Sequence, residues 1–241
     1  MPTLSLLYEH SFPINDRVSI VIPSVGEVLH DEDGYYSLVH LITAMPIDLM
    51  VQLDDMGVDF SKINEYDLFL YIVFPSLQQT DTTLLFGDLD LSKFEYATNE
   101  QTGMVVLIDR ENDIVIDRPM YSKISAAVRK IHDLKKDTRT PGNEEARKYM
   151  LERARKKLAR QKNKVTDSQL ETLIVALVNT EQFKYDFDSV RSLTIYQFNE
   201  SVQQVTKKIE YDNRMRGVYA GTIDVKSLSQ DDLTWLTHKS N

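Results

Sequence analysis

The residue types that could do chemistry in this chain are concentrated in one basic segment. Nine Lys and Arg side chains lie between residues 147 and 164, and more than half of the 28 Lys and Arg of the chain lie between residues 123 and 164. Clustered cations of this kind bind phosphates or acidic protein surfaces, and the acidic surface could be residues 1–122 of the chain itself or of another copy. They also occur on solvated helices that bind nothing, so both interpretations stay open. The candidate contact residues in this segment are Arg147, Arg153, Arg155, Lys156, Lys157 and Arg160.

The sequence contains no motif typical of catalysis. It has no Cys, which excludes thiolate zinc sites, iron–sulfur clusters and Cys nucleophiles. No two of the five His residues form an i, i+4 pair, and the Gly-x-Ser-x-Gly, Walker A and Gly-x-Gly-x-x-Gly motifs are absent. We therefore expect a protein that is not an enzyme and that uses no cofactor or metal.

Two groups of carboxylates could in principle bind Mg²⁺ or Ca²⁺, which prefer oxygen ligands. Neither has the spacing of an EF-hand, and Asp is common at helix ends and in turns. We interpret both as local structural features. The groups are Asp54, Asp55 and Asp59 around Gly57, and Asp81, Asp88 and Asp90 around Gly87.

The overall charge disfavours a protein that binds nucleic acid over its whole surface, because 37 Asp and Glu against 28 Lys and Arg give a net charge of -9. The first residues lack the basic start of a secretory signal. The longest dense apolar run, Leu68–Phe74, ends at Pro75 and is too short to span a bilayer. We expect a soluble protein that stays inside the cell in which it is made and does not enter a membrane.

The hydrophobic pattern predicts a helix-dominated α+β fold. Residues 94–96, 104–108 and 113–116 predict a small antiparallel β meander with a tight loop at 110–112. Asn143 is a good N-cap for a long basic helix in the middle of the chain. Other segments predict a strand at 18–22, a turn-rich acidic connection at 26–33, helical structure at 35–53 with a break at Pro46, a helix or buried strand at 65–74, and helices at 121–136, from 166 or 167 to 178, and from about 192 onward.

Composition divides the chain into three parts. Residues 1–122 form an acidic mixed α/β region, residues 123–164 form a basic helical segment, and residues 165–241 form a C-terminal helical region. The segregation of charge is the main reason for placing the boundaries there.

The last predicted helix carries an apolar seam at spacings of three and four residues. Such a stripe usually packs into the core, but it could also join another helix between molecules. A short terminal turn with Trp235 follows a Ser229/Asp232 pattern that resembles a capping box. Together with Trp235, the seam residues Ile195, Phe198, Val202, Val205 and Ile209 complete the candidate partner-binding set.

The closing region resembles a known class of proteins. The stretch 193–201, followed by Tyr211-Asp212-Asn213 and by residues 217–221, is similar to tail-module proteins of phages and prophages of Gram-positive bacteria, most of all to tail assembly chaperones. The resemblance implies a non-enzymatic, helix-rich protein that binds the tape-measure protein during tail assembly.

Two other functions stay open. The chain could be a structural virion protein, such as a tail or neck subunit, held by self-association. It could also be an accessory protein that binds nucleic acid through residues 123–164, although only Tyr149 supplies an aromatic ring for base stacking along the basic helix. We rank a protein partner above nucleic acid.

Overall fold

A computed structural model describes residues 6–161 and 168–236 of the chain. The fold is a helix-dominated α+β fold with two small antiparallel sheets, as predicted. The α-helices are α1 (Val25–His30), α2 (Glu32–Thr43), α3 (Met50–Asp55), α4 (Glu65–Leu68), α5 (Phe74–Leu77), α6 (Thr83–Phe86), α7 (Arg118–His132), α8 (Glu144–Gln161), α9 (Gln169–Val178) and α10 (Ile195–Tyr219).

Four of the five described strands overlap the predicted segments, and the first strand was not predicted. In the first sheet β1 (Ser11–Pro13) pairs with β2 (Ser19–Val21), and the second is a meander in the order β3 (Glu95–Thr98), β4 (Val105–Asp109) and β5 (Ile114–Ile116). Between β4 and β5 the Asp109 carboxylate accepts hydrogen bonds from the backbone N–H groups of residues 111 and 112, at 3.0 and 3.2 Å. This local bonding fixes the tight hairpin loop.

The chain forms two compact units, which are not the three segments divided by charge. The first unit comprises Met1–Pro23 and Asp31–Asp167, so it includes the described part of the basic segment. The second comprises Ser24–His30 and Ser168–Asn241. An early piece of the chain, the helix α1, is therefore part of the second unit.

The predicted connection at 26–33 is wrong, because α1 occupies most of it. Val25 and Val28 are completely buried, and the backbone N–H of Val25 donates to the Leu193 carbonyl at 2.8 Å. Gly26 permits a close approach, since a Cβ there would lie 3.2 Å from the Arg191 carbonyl oxygen. Contacts with residues far along the chain stabilise this short helix, and no local pattern reveals them.

The helical alternative at 65–74 is correct, and the helical segment continues past Pro75. The Asn64 side chain caps α4 by accepting from the backbone of residues 66 and 67. A π-helical turn (Phe69–Val73) then leads into α5. Proline has no N–H to bond the carbonyl one turn earlier. The Tyr96 hydroxyl instead donates to the Leu70 carbonyl at 2.7 Å.

Helix α7 begins three residues before the predicted segment 121–136 and ends four residues before the end of that segment, because capping residues set both boundaries. Asp117 caps it by accepting from the backbone N–H of Met120 at 2.8 Å, and it ends at Asp133 in the left-handed conformation with φ +50. One face, which includes Ile124, Val128 and Ile131, is buried. Among the described residues, no helix combines the length and the apolarity needed to cross a membrane.

In the second unit, Ser168 caps α9, and the predicted start at 166 or 167 lies outside the described residues. Thr194 and Gln197 form a reciprocal capping box at the start of α10. This helix continues through Gly217 to Tyr219, and Gly221 follows it with φ +73. A 3-10 helix, Ser189–Ser192, connects α9 to α10.

Candidate interaction surfaces

The basic helix α8 forms where the capping signals place it. The Asn143 side chain accepts from the backbone N–H of Ala146 at 2.8 Å. Glu144 and Glu145 follow in the first turn, where the helix dipole favours negative charge. The helix carries few apolar side chains, and of these Leu151 is buried. It therefore presents two chemically different faces.

The inner face of α8 packs on the acidic end of α3. Residues four apart share one side of a helix. Arg155 and Leu151 follow this spacing, and the Arg155 guanidinium lies 2.8 Å from Asp54 and 2.5 Å from Asp55. Arg147, one turn before Leu151, lies 3.7 Å from Asp54. Two members of the first Asp group, Asp54 and Asp55, thus bind the chain's own arginines.

Arg147 and Arg155 are consequently not free cations. Arg147 also bonds Glu144 at 2.8 Å, and its side chain is only 19% exposed. Hydrogen bonds to Glu144 raise the pKa of Arg147, and hydrogen bonds to Asp55 and Asp54 raise that of Arg155. Two members of the candidate set therefore hold α8 in place.

The outer face of α8 is different. Arg153, Lys157 and Arg160 are exposed, and none of them forms an ion pair with another described residue. Tyr149, 65% exposed, lies on the same side one turn before Arg153. We call these four residues the outer α8 face. Lys156 lies beside it and bonds Glu152 at 2.5 Å. Lys162 and Lys164 lie outside the described residues.

The apolar seam of α10 is divided by burial. Ile195 and Phe198 are completely buried and Val205 is 7% exposed, so these side chains belong to the core and offer no surface in this conformation. Val202 is half-buried, and Ile209 is 36% exposed. In this conformation the seam offers Val202 and Ile209 to a partner, because Ile195, Phe198 and Val205 pack inside the protein.

Trp235 lies in a segment that returns to α10. Its carbonyl accepts from the Gln204 side chain at 2.6 Å, and its side chain is 44% exposed. Nearby, Lys207 bonds Asp231 at 2.8 Å. The α8 residues and the α10 residues of the candidate set belong to different compact units.

A buried ionic network in the first unit was not predicted. The Arg129 guanidinium donates to Glu65 at 2.8 Å, to Ser125 Oγ at 2.5 Å and to the Thr43 carbonyl at 2.6 Å. Lys136 donates to the other oxygen of Glu65. The side chains of Arg129 and Glu65 are 11% and 17% exposed. The only sequence signal was the presence of charges on an otherwise apolar helical pattern.

Two titrating groups in the first unit are strongly affected by their surroundings. Burial alone would raise the pKa of Glu65, but hydrogen bonds from Lys136 and Arg129 outweigh it and lower the pKa. Burial lowers the pKa of His132 to about 4, and the ring nitrogen Nε2 of His132 lies 3.0 Å from the Tyr35 hydroxyl. Glu65 is therefore ionised and His132 neutral at pH 7.

Three of the four remaining Asp residues of the predicted groups have local roles. Asp59, Asp81 and Asp90 each accept hydrogen bonds from a Ser or Thr two residues later. Within residues 6–161 and 168–236, no group of three or more acidic or His side chains is arranged to hold a metal ion.

Comparison with known proteins links the second unit to a described family. Residues 160–239 match the family model described as the YomV second domain, and this match points to a phage-type protein family. No curated protein and no solved structure matches the chain. The match covers one third of the chain and nearly all of the second unit except α1. The chain is thus similar, in its C-terminal third, to the YomV second domain.

Proposed function

We propose that this protein is a phage tail assembly chaperone that acts without catalysis by binding the tape-measure protein in the host cytoplasm. The phage relation follows the family match at residues 160–239. The role of chaperone, its partner and its location are the part that we propose.

The outer α8 face is the observation that supports a binding role. On one helix, the inner arginines are neutralised by Asp54 and Asp55, whereas Arg153, Lys157 and Arg160 face solvent with no ion-pair partner among the described residues. A rigid row of exposed cations steers an acidic surface toward it and fixes its orientation. We therefore expect the contacted segment of the partner to be acidic.

The non-catalytic part of the proposal is supported by how the charged groups are used. Glu65, Arg129 and Lys136 bond one another and the backbone, so they stabilise the first unit. Asp54 and Asp55 bind Arg155. These contacts give the charged groups structural roles.

The test is co-purification of the untagged full chain with tagged tape-measure protein of the same phage, followed by mass spectrometry of purified virions. A chaperone binds the tape-measure protein and is absent from virions. A fixed copy number in virions would instead identify a structural tail or neck subunit, held by self-association.

Binding to nucleic acid is the other outcome to examine, because the outer α8 face combines cations with exposed Tyr149. Phosphate contacts make affinity fall steeply as salt rises. Retardation of DNA that is lost at high salt, together with failure to bind the tape-measure protein, would replace the chaperone proposal.

A further inference from the structure

A cavity of about 510 Å³ lies in the first unit, between the α2–α3 connection, the start of α4, the start of α7 and the loop after α7. This volume is in the range of small-molecule sites. Its apolar lining includes the partly exposed side chains of Met45, Pro46 and Ile63, together with the almost fully buried rings of Phe60 and Tyr66. Exposed hydroxyl groups, among them that of Ser122, lie at its edge.

The charges that line this cavity do not cancel. Glu65 is bound by Arg129 and Lys136, and Asp137 is bound by Arg139 at 2.6 Å. These pairings leave Arg118, which forms no ion pair with any described residue. The cavity therefore has an unneutralised guanidinium beside an apolar wall.

The position of Arg118 is set by neighbouring groups. Its guanidinium carbon lies 5.7 Å from the centre of the Tyr66 ring, and one of its nitrogens lies 3.5 Å from Asn64 Oδ1. Residue 118 is the first residue of α7, and Pro119 follows it. The cation is thus held at the cavity by a ring contact and by one long polar contact, which leaves hydrogen-bond donors for an anion.

We propose that this cavity binds a small amphipathic carboxylate, with the carboxylate on Arg118 and the apolar body against Met45, Pro46 and Ile63. Guanidinium and carboxylate match in geometry and form charge-assisted hydrogen bonds. This site is separate from the outer α8 face, so it does not depend on the function proposed above.

The test uses two probes of nearly equal shape, indole-3-acetate and the neutral indole-3-ethanol, titrated into the full chain by calorimetry. We expect the carboxylate to bind at least about tenfold more tightly, the equivalent of one charge-assisted bond. Arg118→Gln should remove this preference. Ser122→Trp, which fills the edge of the cavity, should weaken the binding of both probes.

Arg110→Gln is the matched control, because Arg110 is an exposed arginine that pairs with Glu95 outside the cavity. It should leave both affinities unchanged. Equal affinity of the two probes for the unaltered chain, a preference that survives Arg118→Gln, or binding of neither probe would overturn the proposal. Arg153→Gln, on the outer α8 face, should leave the affinity for both probes unchanged. A loss of partner binding in that variant therefore tests the proposed function and not this cavity.

Discussion

The Glu65–Arg129 pair gives the sharpest stability prediction. Glu65→Gln keeps the shape of the side chain but removes the charge that compensates Arg129, which is only 11% exposed and also bonds Ser125 and the Thr43 carbonyl. Removing one partner of a buried ion pair costs about 3–5 kcal/mol. Lys136 is 44% exposed, so its contribution is screened, and we expect a loss of about 3 kcal/mol.

The assay is urea unfolding of the full chain at pH 7, followed by far-UV circular dichroism. Glu95→Gln is the control, because Glu95 and Arg110 form an ion pair with side chains 56% and 72% exposed. Such a pair contributes less than about 1 kcal/mol. A Glu65→Gln variant that is no less stable than Glu95→Gln would refute the reasoning.

The same pair has a defined pH dependence. The pKa of Glu65 is lower in the folded chain than its ordinary value of 4.5. Its stabilising contribution is therefore fully present above pH 4.5 and is lost as the pH falls through the folded pKa. The difference in the free energy of unfolding between the original chain and Glu65→Gln should shrink in that acidic range and stay constant above it.

Three further predictions concern the described part of the chain. Arg155→Ala should speed amide exchange throughout α8, measured by mass spectrometry, whereas Arg153→Ala should not, because only the first arginine binds α3. His132 has a pKa of about 4 in the folded chain and 6.5 in the unfolded chain, so the free energy of unfolding should fall by about 3 kcal/mol as the pH falls from 6.5 to 4. His132→Gln should flatten this pH dependence in unfolding titrations. Tyr96→Phe should cost about 1 kcal/mol in urea unfolding, because the Leu70 carbonyl loses its donor, and an unchanged midpoint would contradict that role.

The elements that the sequence predicted well are those with local signals. Asn143, Asp117 and the Asp109 loop each bond backbone groups within three residues. The helix start or turn that each of them stabilises can be predicted from neighbouring residues in the sequence, because the donor and the acceptor are close in the chain. The meander and the helices α7 and α8 were therefore predictable.

Elements that depend on distant contacts were not predictable. Helix α1 contains Gly26 and follows no clear stripe, yet it packs on Arg191 and Leu193. Glu65 and Arg129 are 64 positions apart. A single sequence gives no means of pairing residues at such separations.

The candidate surface was predictable only in outline. Composition identified α8 as basic, but Asp54 and Asp55 determine which of its cations remain exposed, and they lie about 100 residues away from Arg155. Spacing alone likewise could not tell that Ile195 and Phe198 are buried while Ile209 is partly exposed. Tertiary packing decides which members of a stripe meet solvent.

The most direct test of the proposed function is the affinity of the full chain for the tape-measure protein, with and without the cations of the outer α8 face. Arg153→Gln, Lys157→Gln and Arg160→Gln in one chain should weaken binding about tenfold, since three exposed ion pairs contribute roughly 0.5 kcal/mol each. Lys123→Gln, Lys135→Gln and Lys184→Gln in one chain remove the same charge from exposed positions elsewhere and should leave affinity unchanged. Equal weakening by both triple variants, or no weakening by the first, would contradict the account.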